Sequence, residues 1–231
     1  MLQLKTPSKI NLYLRITGKL PNGYHEIETI FQQLDLHDGL IISARNDKKV
    51  VIKSNSKNLP LDENNICFKA TKLLKEKSGV PDGVNIAISK RIPIGAGLGG
   101  GSSDAAATLR GLQKLWGLSF TENEITNIAK QVGADVPFFI NGGTAYATGI
   151  GDKLTQAKSS QKYYCVLVYP NINISTEWAY KNINFNLTKT KKIIKLSEIL
   201  HKKFDFFELK NFVQNDFEEV VFREYPELYE L

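Results

Sequence analysis

A glycine-rich stretch is the part of the sequence whose residue types and spacing most directly suggest chemistry. Residues 95–101, GAGLGGG, contain five glycines in seven positions, and Ser102, Ser103 and Asp104 follow them. Each glycine loses more backbone freedom on folding than any other residue would, so this density has an entropic cost. An alanine-rich helical pattern begins directly afterwards, and a helix N-terminus presents unpaired N–H groups and the positive end of the helix dipole. The pattern predicts that backbone N–H groups here bind phosphate oxygens.

Other kinds of glycine-rich loop fit this stretch less well. GAGLGG matches the G-x-G-x-x-G pattern of dinucleotide-binding folds, but those folds place an apolar strand before it, and SKRIPI is charged and contains Pro93. A Walker-type loop requires Gly-Lys before Ser or Thr, whereas Gly101 is followed directly by Ser102. The H-R-D and D-F-G segments of protein kinases do not occur in the sequence. A flexible surface loop is the alternative without function, and the helix that follows disfavours it.

Alternating and helical patterns predict the elements that position this loop. Strands are expected over 2–16, over 84–94 and in KYYCVLVYP (162–170). The segments HEIETIFQQLDL, GLIISA and KVVIKS (25–54) are expected to form strands in an antiparallel arrangement. A further apolar strand is expected after Asp135, in VPFF. Helices are expected over 64–79 and over 121–133, the second with Thr121 and Glu124 as a capping box. Another helix is expected after the glycines, with Ser102 or Ser103 as its N-cap. Three more are expected in the segments 175–183, 196–204 and 206–222. This order of elements predicts an α+β fold with a strand-rich first part.

Composition disfavours several classes of protein. The 231 residues are 42% hydrophobic and 23% charged, which is ordinary for a globular protein, and no apolar run approaches the roughly 18 residues needed to cross a bilayer. The first residues alternate rather than forming a signal peptide, and two distant cysteines, Cys67 and Cys165, disfavour a zinc cluster or a disulfide scaffold. The net charge of +6 comes largely from lysines in 188–203, which favours a solvated face over a nucleic-acid site. We expect a cytoplasmic protein that binds neither nucleic acid nor membrane.

Five short segments together indicate a family. They are PSKINLYL (7–14), GYH (23–25), PIGAGLGGGSSDAA (93–106), GADVP (133–137) and GIGD (149–152). The third resembles the second motif of the GHMP kinases, and the others resemble that family's first motif, a substrate-binding turn, the catalytic segment and a following turn. The doubled serine after three glycines resembles the form that this motif takes in the branch that phosphorylates cytidine diphosphate methylerythritol. The likeness runs from about residue 2 to about residue 180, with the motifs in the family's order.

The resemblance implies a GHMP kinase fold of the α+β class with two domains. Residues 1–156 would form an N-terminal ATP-binding domain similar to ribosomal protein S5, and residues 157–231 a ferredoxin-like C-terminal domain. Family members carry a third glycine-rich motif near the C-terminus, and the sequence ends at EYPELYEL (224–231) without it. We therefore expect an incomplete C-terminal domain and a chain that is truncated relative to the family.

Two residues are implied as catalytic. Asp135 is by position alone typical of a turn or a helix cap, and Lys9 of an exposed strand start. The resemblance implies instead that Asp135 is the base that accepts the proton of the acceptor alcohol, and that Lys9 faces it. An ammonium there would offset negative charge on the transferred phosphoryl group.

Further residues are implied as ligand contacts. Asn11 lies two residues after Lys9 in a strand, so both project to the same face. The resemblance implies that Tyr24 and His25 hold a cytosine ring, that Tyr180 completes a sandwich around it, and that Phe31 and Thr176 also contact substrate, although both are equally typical of packing. The implied ATP-binding residues are Pro93, Ile94, Gly95, Ala96, Gly97, Leu98, Gly99, Gly100, Gly101, Ser102 and Ser103, with Asn65 and Ile66 at the adenosine.

The reaction implied is ATP-dependent phosphorylation of the 2-hydroxyl of cytidine diphosphate methylerythritol, a step of the non-mevalonate pathway to isoprenoid precursors. Mg²⁺ is expected to be held mostly by ATP and water, with a hydroxyl from Ser102 or Ser103, in a monomer or homodimer. One alternative is a GHMP kinase for homoserine or mevalonate, which have no base for Tyr24 and His25 to hold. A second alternative is a nucleotide-binding protein without turnover, which the retained Lys9 and Asp135 disfavour.

Overall fold

The computed structural model describes residues 1–157, 163–183 and 213–231. Its contacts divide the chain into two compact units, each built from separate stretches of sequence. The first unit comprises Met1–Lys9, Gln33–Ile94 and Leu98–Gly142, and the second comprises Ile10–Gln32, Gly95–Gly97 and the described residues after Gly142. The domain boundary expected at residues 156 and 157 stays a prediction.

The described residues form seven strands and six α-helices. The strands are β1 (Leu2–Lys19), β2 (His25–Arg45), β3 (Val50–Ser54), β4 (Gly83–Ser89), β5 (Thr144–Thr148), β6 (Lys153–Gln156) and β7 (Gln214–Asn215). The helices are α1 (Ile66–Ser78), α2 (Gly100–Leu115), α3 (Glu122–Val132), α4 (Val136–Asn141), α5 (Thr176–Asn182) and α6 (Phe217–Glu224), and a 3₁₀ turn follows at Pro226–Leu228. No helix among these is long and apolar enough to span a membrane.

The first unit packs helices α1 to α4 with strands that include β3, β4 and parts of β1 and β2. Strand β4 pairs antiparallel with the second half of β2, from Gly39 opposite Ser89 to Arg45 opposite Gly83, and parallel with β3. Alternate strand residues and one face of each helix form a single apolar core, which includes Leu40, Ile42, Val84, Ile86, Ile88, Leu74, Ala105, Leu109, Leu112, Ile125 and Ile128. Ala105, Leu109 and Leu112 recur at helical spacing and form the buried face of α2.

Capping chemistry sets the ends of the helices in this unit. The predicted capping box is confirmed, since the Thr121 hydroxyl accepts from the Glu124 N–H and the Glu124 carboxylate accepts from the Thr121 N–H. Gly79 ends α1 with a φ of 71°, a conformation that glycine adopts without strain. The prediction of Ser102 or Ser103 as N-cap is wrong. The N-cap is Gly99, so α2 begins at Gly100 and both serines lie inside it.

The second unit contains the shorter strand pairings. Strand β5 pairs antiparallel with β2, from Thr29 opposite Ala147 to Gln32 opposite Thr144, and β6 pairs antiparallel with β5. Strand β7 pairs parallel with β1 at Tyr13 and Leu14. An apolar cluster joins strand and helix residues, and its members are Leu14, Ile16, Ile27, Tyr180, Ile183 and Phe217.

Several predicted elements differ from the structure. The segment after Asp135 is the helix α4 rather than a strand, because Pro137 suits the first turn of a helix and four apolar residues in a row carry no period of two. The segments 25–36 and 39–44 form one strand, β2, and β3 pairs parallel with β4 rather than antiparallel.

Two predictions near the C-terminus also need correction. Residues 163–170 form no strand, because no described strand pairs with them and Tyr164 and Val166 are fully exposed. Gln214–Asn215 form strand β7 inside the segment predicted as one helix over 206–222, and α6 covers only Phe217–Glu224. The predicted helix at 175–183 is confirmed as α5. The predicted helix at 196–204 lies outside the described residues.

Candidate active site

The N-terminus of α2 is open in the way that an anion site requires. Gly99 is the N-cap, its φ is 70°, and it has no side chain that could accept from the first N–H groups of the helix. In a helix these first N–H groups lack intrahelical partners. The helix is 16 residues long, so its dipole adds to the attraction for an anion at this end. The structure thus has the backbone geometry that the glycine-rich sequence predicts.

Close packing around Gly99 and Gly100 explains why larger residues are absent there. A Cβ at Gly99 would lie 2.7 Å from Cζ of Phe139 and 3.0 Å from Cγ of Lys9. A Cβ at Gly100 would lie 3.1 Å from Cγ2 of Ile92. A Cβ at Gly99 would therefore force Phe139 to move, and a Cβ at Gly100 would fit only with a small shift of Ile92.

Lys9 and Asp135 lie together in the first unit. The Lys9 Nζ is 3.6 Å from Oδ2 of Asp135, and the Lys9 backbone N–H donates to the carbonyl of Leu98 at 2.9 Å. Lys9 is 6% exposed, whereas 36% of the Asp135 side chain is accessible. The buried ammonium thus faces a carboxylate that a ligand can still reach. Asp135 is the N-cap residue of α4, yet its side chain makes no capping hydrogen bond, so capping does not explain its carboxylate.

Two cationic side chains fix the backbone on either side of Asp135. The Lys69 Nζ donates to the carbonyl of Val132 at the end of α3, at 2.9 Å. The Arg110 guanidinium donates through Nε and Nη2 to the carbonyl of Ile140 at the end of α4, at 2.9 and 2.7 Å. Neither residue was predicted from the sequence, because hydrogen-bond partners 63 and 30 positions apart leave no local signal.

The two serines of the glycine-rich segment have different surroundings. Ser103 is 1% exposed, and its Oγ has no hydrogen-bond partner among the residues the structure describes. Ser102 is half-buried. A buried hydroxyl without a partner is costly, so an oxygen of this kind is suited to a ligand or an ion. Across residues 1–157, 163–183 and 213–231, His, Cys, Asp and Glu form no group of three that could hold a metal ion.

The other predicted ATP-binding residues occupy varied places. Asn65 caps α1, with Oδ1 accepting from the Cys67 N–H at 2.8 Å and Nδ2 donating to the carbonyl of Pro60 at 2.6 Å. Its amide is thus engaged in holding the helix start, and Ile66 is half-buried beside it. In the second unit a Cβ at Gly95 would lie 2.6 Å from Oδ1 of Asn173. The remaining positions are Pro93 and Ala96 (half-buried), Leu98 (buried), Ile94 and Gly97 (exposed).

An aromatic pair in the second unit contains two of the predicted base-binding residues. The rings of His25 and Tyr180 stack at a centroid distance of 4.7 Å with an interplanar angle of 8°. Tyr180 also meets Phe217 edge to face at 4.9 Å. The two stacked rings touch each other directly, so a base between them requires that they separate. Burial, and then the charge of Lys19, lower the pKa of His25, so its imidazole is neutral at pH 7.

The remaining predicted substrate contacts lie on separate elements of this unit. Tyr24 is 58% exposed and belongs to the turn before β2. Asn11 donates from Nδ2 to Oγ1 of Thr29 at 2.7 Å, which fixes its amide on β1. Phe31 is buried in β2 opposite Ala145, and Thr176 is the exposed first residue of α5.

Comparisons with known proteins agree with the motifs. The family profile for the N-terminal domain of GHMP kinases matches residues 65–143, which span α1 to α4 and the glycine-rich segment. A 4-diphosphocytidyl-2-C-methyl-D-erythritol kinase from Bacillus cytotoxicus is 41% identical over 227 residues, covering 98% of this chain and 78% of that protein. The protein of the same name from Bacillus cereus strain B4264 is 40% identical over the same shares.

A solved structure extends this likeness to the fold. The crystal structure of a 4-(cytidine 5'-diphospho)-2C-methyl-D-erythritol kinase matches with a TM-score of 0.77 and 30% identity, covering 99% of this chain and 80% of that one. The GHMP kinase fold expected from the motifs is therefore confirmed. Sequence and structure together place this chain in the 4-diphosphocytidyl-2-C-methyl-D-erythritol kinase family, a branch of the GHMP kinases.

Proposed function

We propose that this chain transfers the γ-phosphoryl group of ATP to the 2-hydroxyl of 4-diphosphocytidyl-2-C-methyl-D-erythritol. Family membership supports the reaction, which belongs to the non-mevalonate pathway of isoprenoid precursor synthesis. The structural observation that carries the proposal is the pairing of Lys9 with Asp135 at 3.6 Å, next to the open N-terminus of α2. We propose a cytoplasmic monomer or homodimer as its working form.

Asp135 serves as the general base in this proposal. The substrate 2-hydroxyl donates to the accessible carboxylate, its oxygen bonds to the γ-phosphorus, and the bond from that phosphorus to the ADP oxygen breaks. The proton passes to Asp135 as the new bond forms, and ADP leaves with the electron pair. The Lys9 ammonium, buried beside the carboxylate, stabilises negative charge that the transferred group carries.

The first turn of α2 binds the phosphates in this proposal. Its unpaired N–H groups donate to phosphate oxygens, and the helix dipole attracts their negative charge. Because Gly99 and Gly100 have no side chain, an anion can approach the backbone closely there. Mg²⁺ would supply positive charge that offsets the negative charge developing on the phosphates during transfer. We propose that ATP and water provide most of its ligands and that a hydroxyl of Ser102 or Ser103 provides one. The buried Ser103 Oγ, which lacks a described partner, is the better placed of the two.

The second unit supplies the recognition of the cytidine base. Tyr24 is exposed and offers an aromatic face. The rings of His25 and Tyr180, which stack on each other, hold the base between them once they separate. Homoserine and mevalonate have no base that would use these groups. Their presence favours a cytidyl substrate over the other alcohols that GHMP kinases phosphorylate.

A coupled assay of ADP release tests the proposal. The 231-residue chain is incubated with ATP, Mg²⁺ and one acceptor at a time, which is the cytidyl substrate, homoserine or mevalonate. We expect turnover with the cytidyl substrate alone. Turnover with homoserine or mevalonate would favour the other kinases of the family, and ATP binding without any turnover would favour a non-catalytic nucleotide-binding protein.

A further inference from the structure

A buried network of charged side chains lies in the first unit, beside the glycine-rich segment. The Lys90 ammonium, one residue after β4, donates to Oδ2 of Asp104 in α2 at 2.9 Å and also to Asp38 in β2. The Thr6 hydroxyl of β1 donates to the other oxygen of Asp104 at 2.7 Å. None of these four residues has a role in the reaction as proposed above.

The network joins the two chain segments that flank the glycines. The Asp38 carboxylate accepts hydrogen bonds from the backbone N–H groups of Arg91 and Ile92, the latter at 2.8 Å. These two residues lead into the glycine-rich segment. Asp104 lies in α2, five residues after the N-cap Gly99. Because Lys90 contacts both carboxylates, it links the entrance of the segment to the helix at its exit. The Lys90 Nζ also lies 3.2 Å from where a Cβ of Gly100 would be, in the first turn of α2.

Stability alone does not explain this arrangement. The side chains of Lys90, Asp38 and Asp104 are 6%, 0% and 2% exposed, and two carboxylates face one ammonium. Burying ions costs free energy that pairing only partly returns, and apolar residues of similar size often serve stability as well or better. Burial raises the pKa of Asp104 to about 6 despite the opposing effect of Lys90. Its buried site therefore disfavours the ionised form of this carboxyl group.

Lys90 behaves in the complementary way. Burial lowers its pKa, but the two carboxylates outweigh burial, and the net pKa is above its ordinary value. The ammonium therefore stays charged at neutral pH. Since apolar residues often serve stability as well as a buried ion pair does, a charged link of fixed geometry favours a role in position rather than in stability.

We infer that Lys90, Asp38 and Asp104 are positioning residues that hold the first turn of α2 in register for ATP phosphates. This inference rests on the proposed function, because it assigns the phosphates to that turn. The network acts through backbone that it anchors, and it contacts neither the reacting atoms nor Asp135. Its net charge is negative, so by charge alone it opposes phosphate binding. A loss of ATP affinity on removal of a carboxylate therefore reports position and not charge.

Calorimetric titration of the full chain with ATP and, separately, with CDP tests the inference. Asp104→Asn keeps the shape of the side chain but removes its charge and leaves one acceptor oxygen for two donors, Lys90 and Thr6. Lys90→Met removes the link. We expect both variants to bind ATP at least about tenfold more weakly, since a displaced first turn loses hydrogen bonds from backbone N–H groups to charged phosphate oxygens, and one such bond corresponds to about tenfold or more in affinity. We expect CDP affinity to change less than about twofold. Lys90→Arg, which can reach both carboxylates, should restore most of the ATP affinity.

Thr71→Val is the matched control for a general loss of stability. Thr71 is a buried residue of α1 whose hydroxyl donates to the Cys67 carbonyl at 2.8 Å, outside the network. This variant should bind ATP like the wild type. ATP affinity unchanged in Asp104→Asn and Lys90→Met, or an equal loss for ATP and CDP, would overturn the inference. A wild-type chain that binds CDP but not ATP would contradict the proposed function itself.

Discussion

Two buried lysines show how similar residues take different roles at the residue scale. Lys90 donates to two carboxylates at hydrogen-bond distance and is fixed by them. Lys9 lies 3.6 Å from Asp135, which is within range of an ion pair but too long for a good hydrogen bond. The carboxylate of Asp135 thus retains capacity to accept from a substrate hydroxyl. The first lysine suits a structural link, and the second suits a site that must accommodate a reacting group.

The raised pKa of Asp104 predicts a specific pH dependence of stability. The group titrates near 6 in the folded chain and near 3.8 in an unfolded one, so between these pH values only the folded chain binds the proton. The free energy of unfolding therefore falls as pH rises through this window, by roughly 3 kcal/mol for a shift of about two units. Urea unfolding of wild type and Asp104→Asn between pH 4 and pH 7 measures it. A stability difference that does not change with pH would contradict the shift.

A single methyl group at Gly99 should disrupt the phosphate site. Gly99→Ala combines a φ of 70°, which costs about 1–2 kcal/mol for a residue with a Cβ, with a clash at 2.7 Å from Cζ of Phe139. We expect ATP affinity to fall more than about tenfold in calorimetry. Gly117→Ala is the matched control, because its φ is 63° and nothing lies within 4 Å of its Cβ. Equal losses in both variants would show that backbone strain alone is responsible.

At the scale of elements, sequence patterns predicted the helices whose ends have their own chemistry. Thr121 with Glu124, and Gly79, mark helix ends through local hydrogen bonds and backbone conformation, and local signals can be read from sequence. The start of helix α4 was predicted as a strand because a short apolar run such as VPFF does not distinguish a strand from a helix. The strand predicted at 162–170 depends on a pairing partner, which no local pattern specifies.

The site divides in the same way. The open helix start at Gly99 was predictable from glycine chemistry alone, although not its register, which excludes the serines as caps. The meeting of Lys9 with Asp135 was implied only by family resemblance, because the two residues are far apart in sequence. The network of Lys90, Asp38 and Asp104 was missed altogether, since three ordinary charged residues reveal their burial only in the fold.

The hydrogen bonds from Arg110 of α2 to the end of α4 give a prediction about how one helix positions another. Arg110→Met keeps the apolar stem but removes the donors to the Ile140 carbonyl, so the helix that begins after Asp135 should loosen. We expect kcat to fall about tenfold with little change in KM for ATP, and the free energy of unfolding to fall by roughly 1–3 kcal/mol. Steady-state kinetics and urea unfolding measure both. Lys114→Met, which removes a cation from the exposed face of the same helix, should leave kcat unchanged. Equal effects of the two variants would show that Arg110 does not position the helix that begins after Asp135.

For the whole molecule, charge is the property that bears on function. The net charge of +6 at pH 7 belongs to a chain that we propose binds two polyanions, and long-range attraction raises the rate at which such ligands arrive. Raising KCl from about 0.05 M to about 0.5 M shortens the Debye length several-fold. We expect kcat/KM for the cytidyl substrate to fall about threefold or more, with kcat nearly constant. A kcat/KM independent of salt would show that the charge has no part in binding.

The central claim for the whole molecule is that it is a kinase in which Asp135 acts as the base. The most direct measurement is kcat with saturating ATP, Mg²⁺ and the cytidyl substrate, for wild type and Asp135→Asn, with Asp47→Asn as the control from an exposed ion pair. We expect turnover by wild type and by the control, and a loss of about 10²–10⁴ in kcat for Asp135→Asn at unchanged ATP affinity. Near-normal kcat in Asp135→Asn would show that Asp135 is not the base.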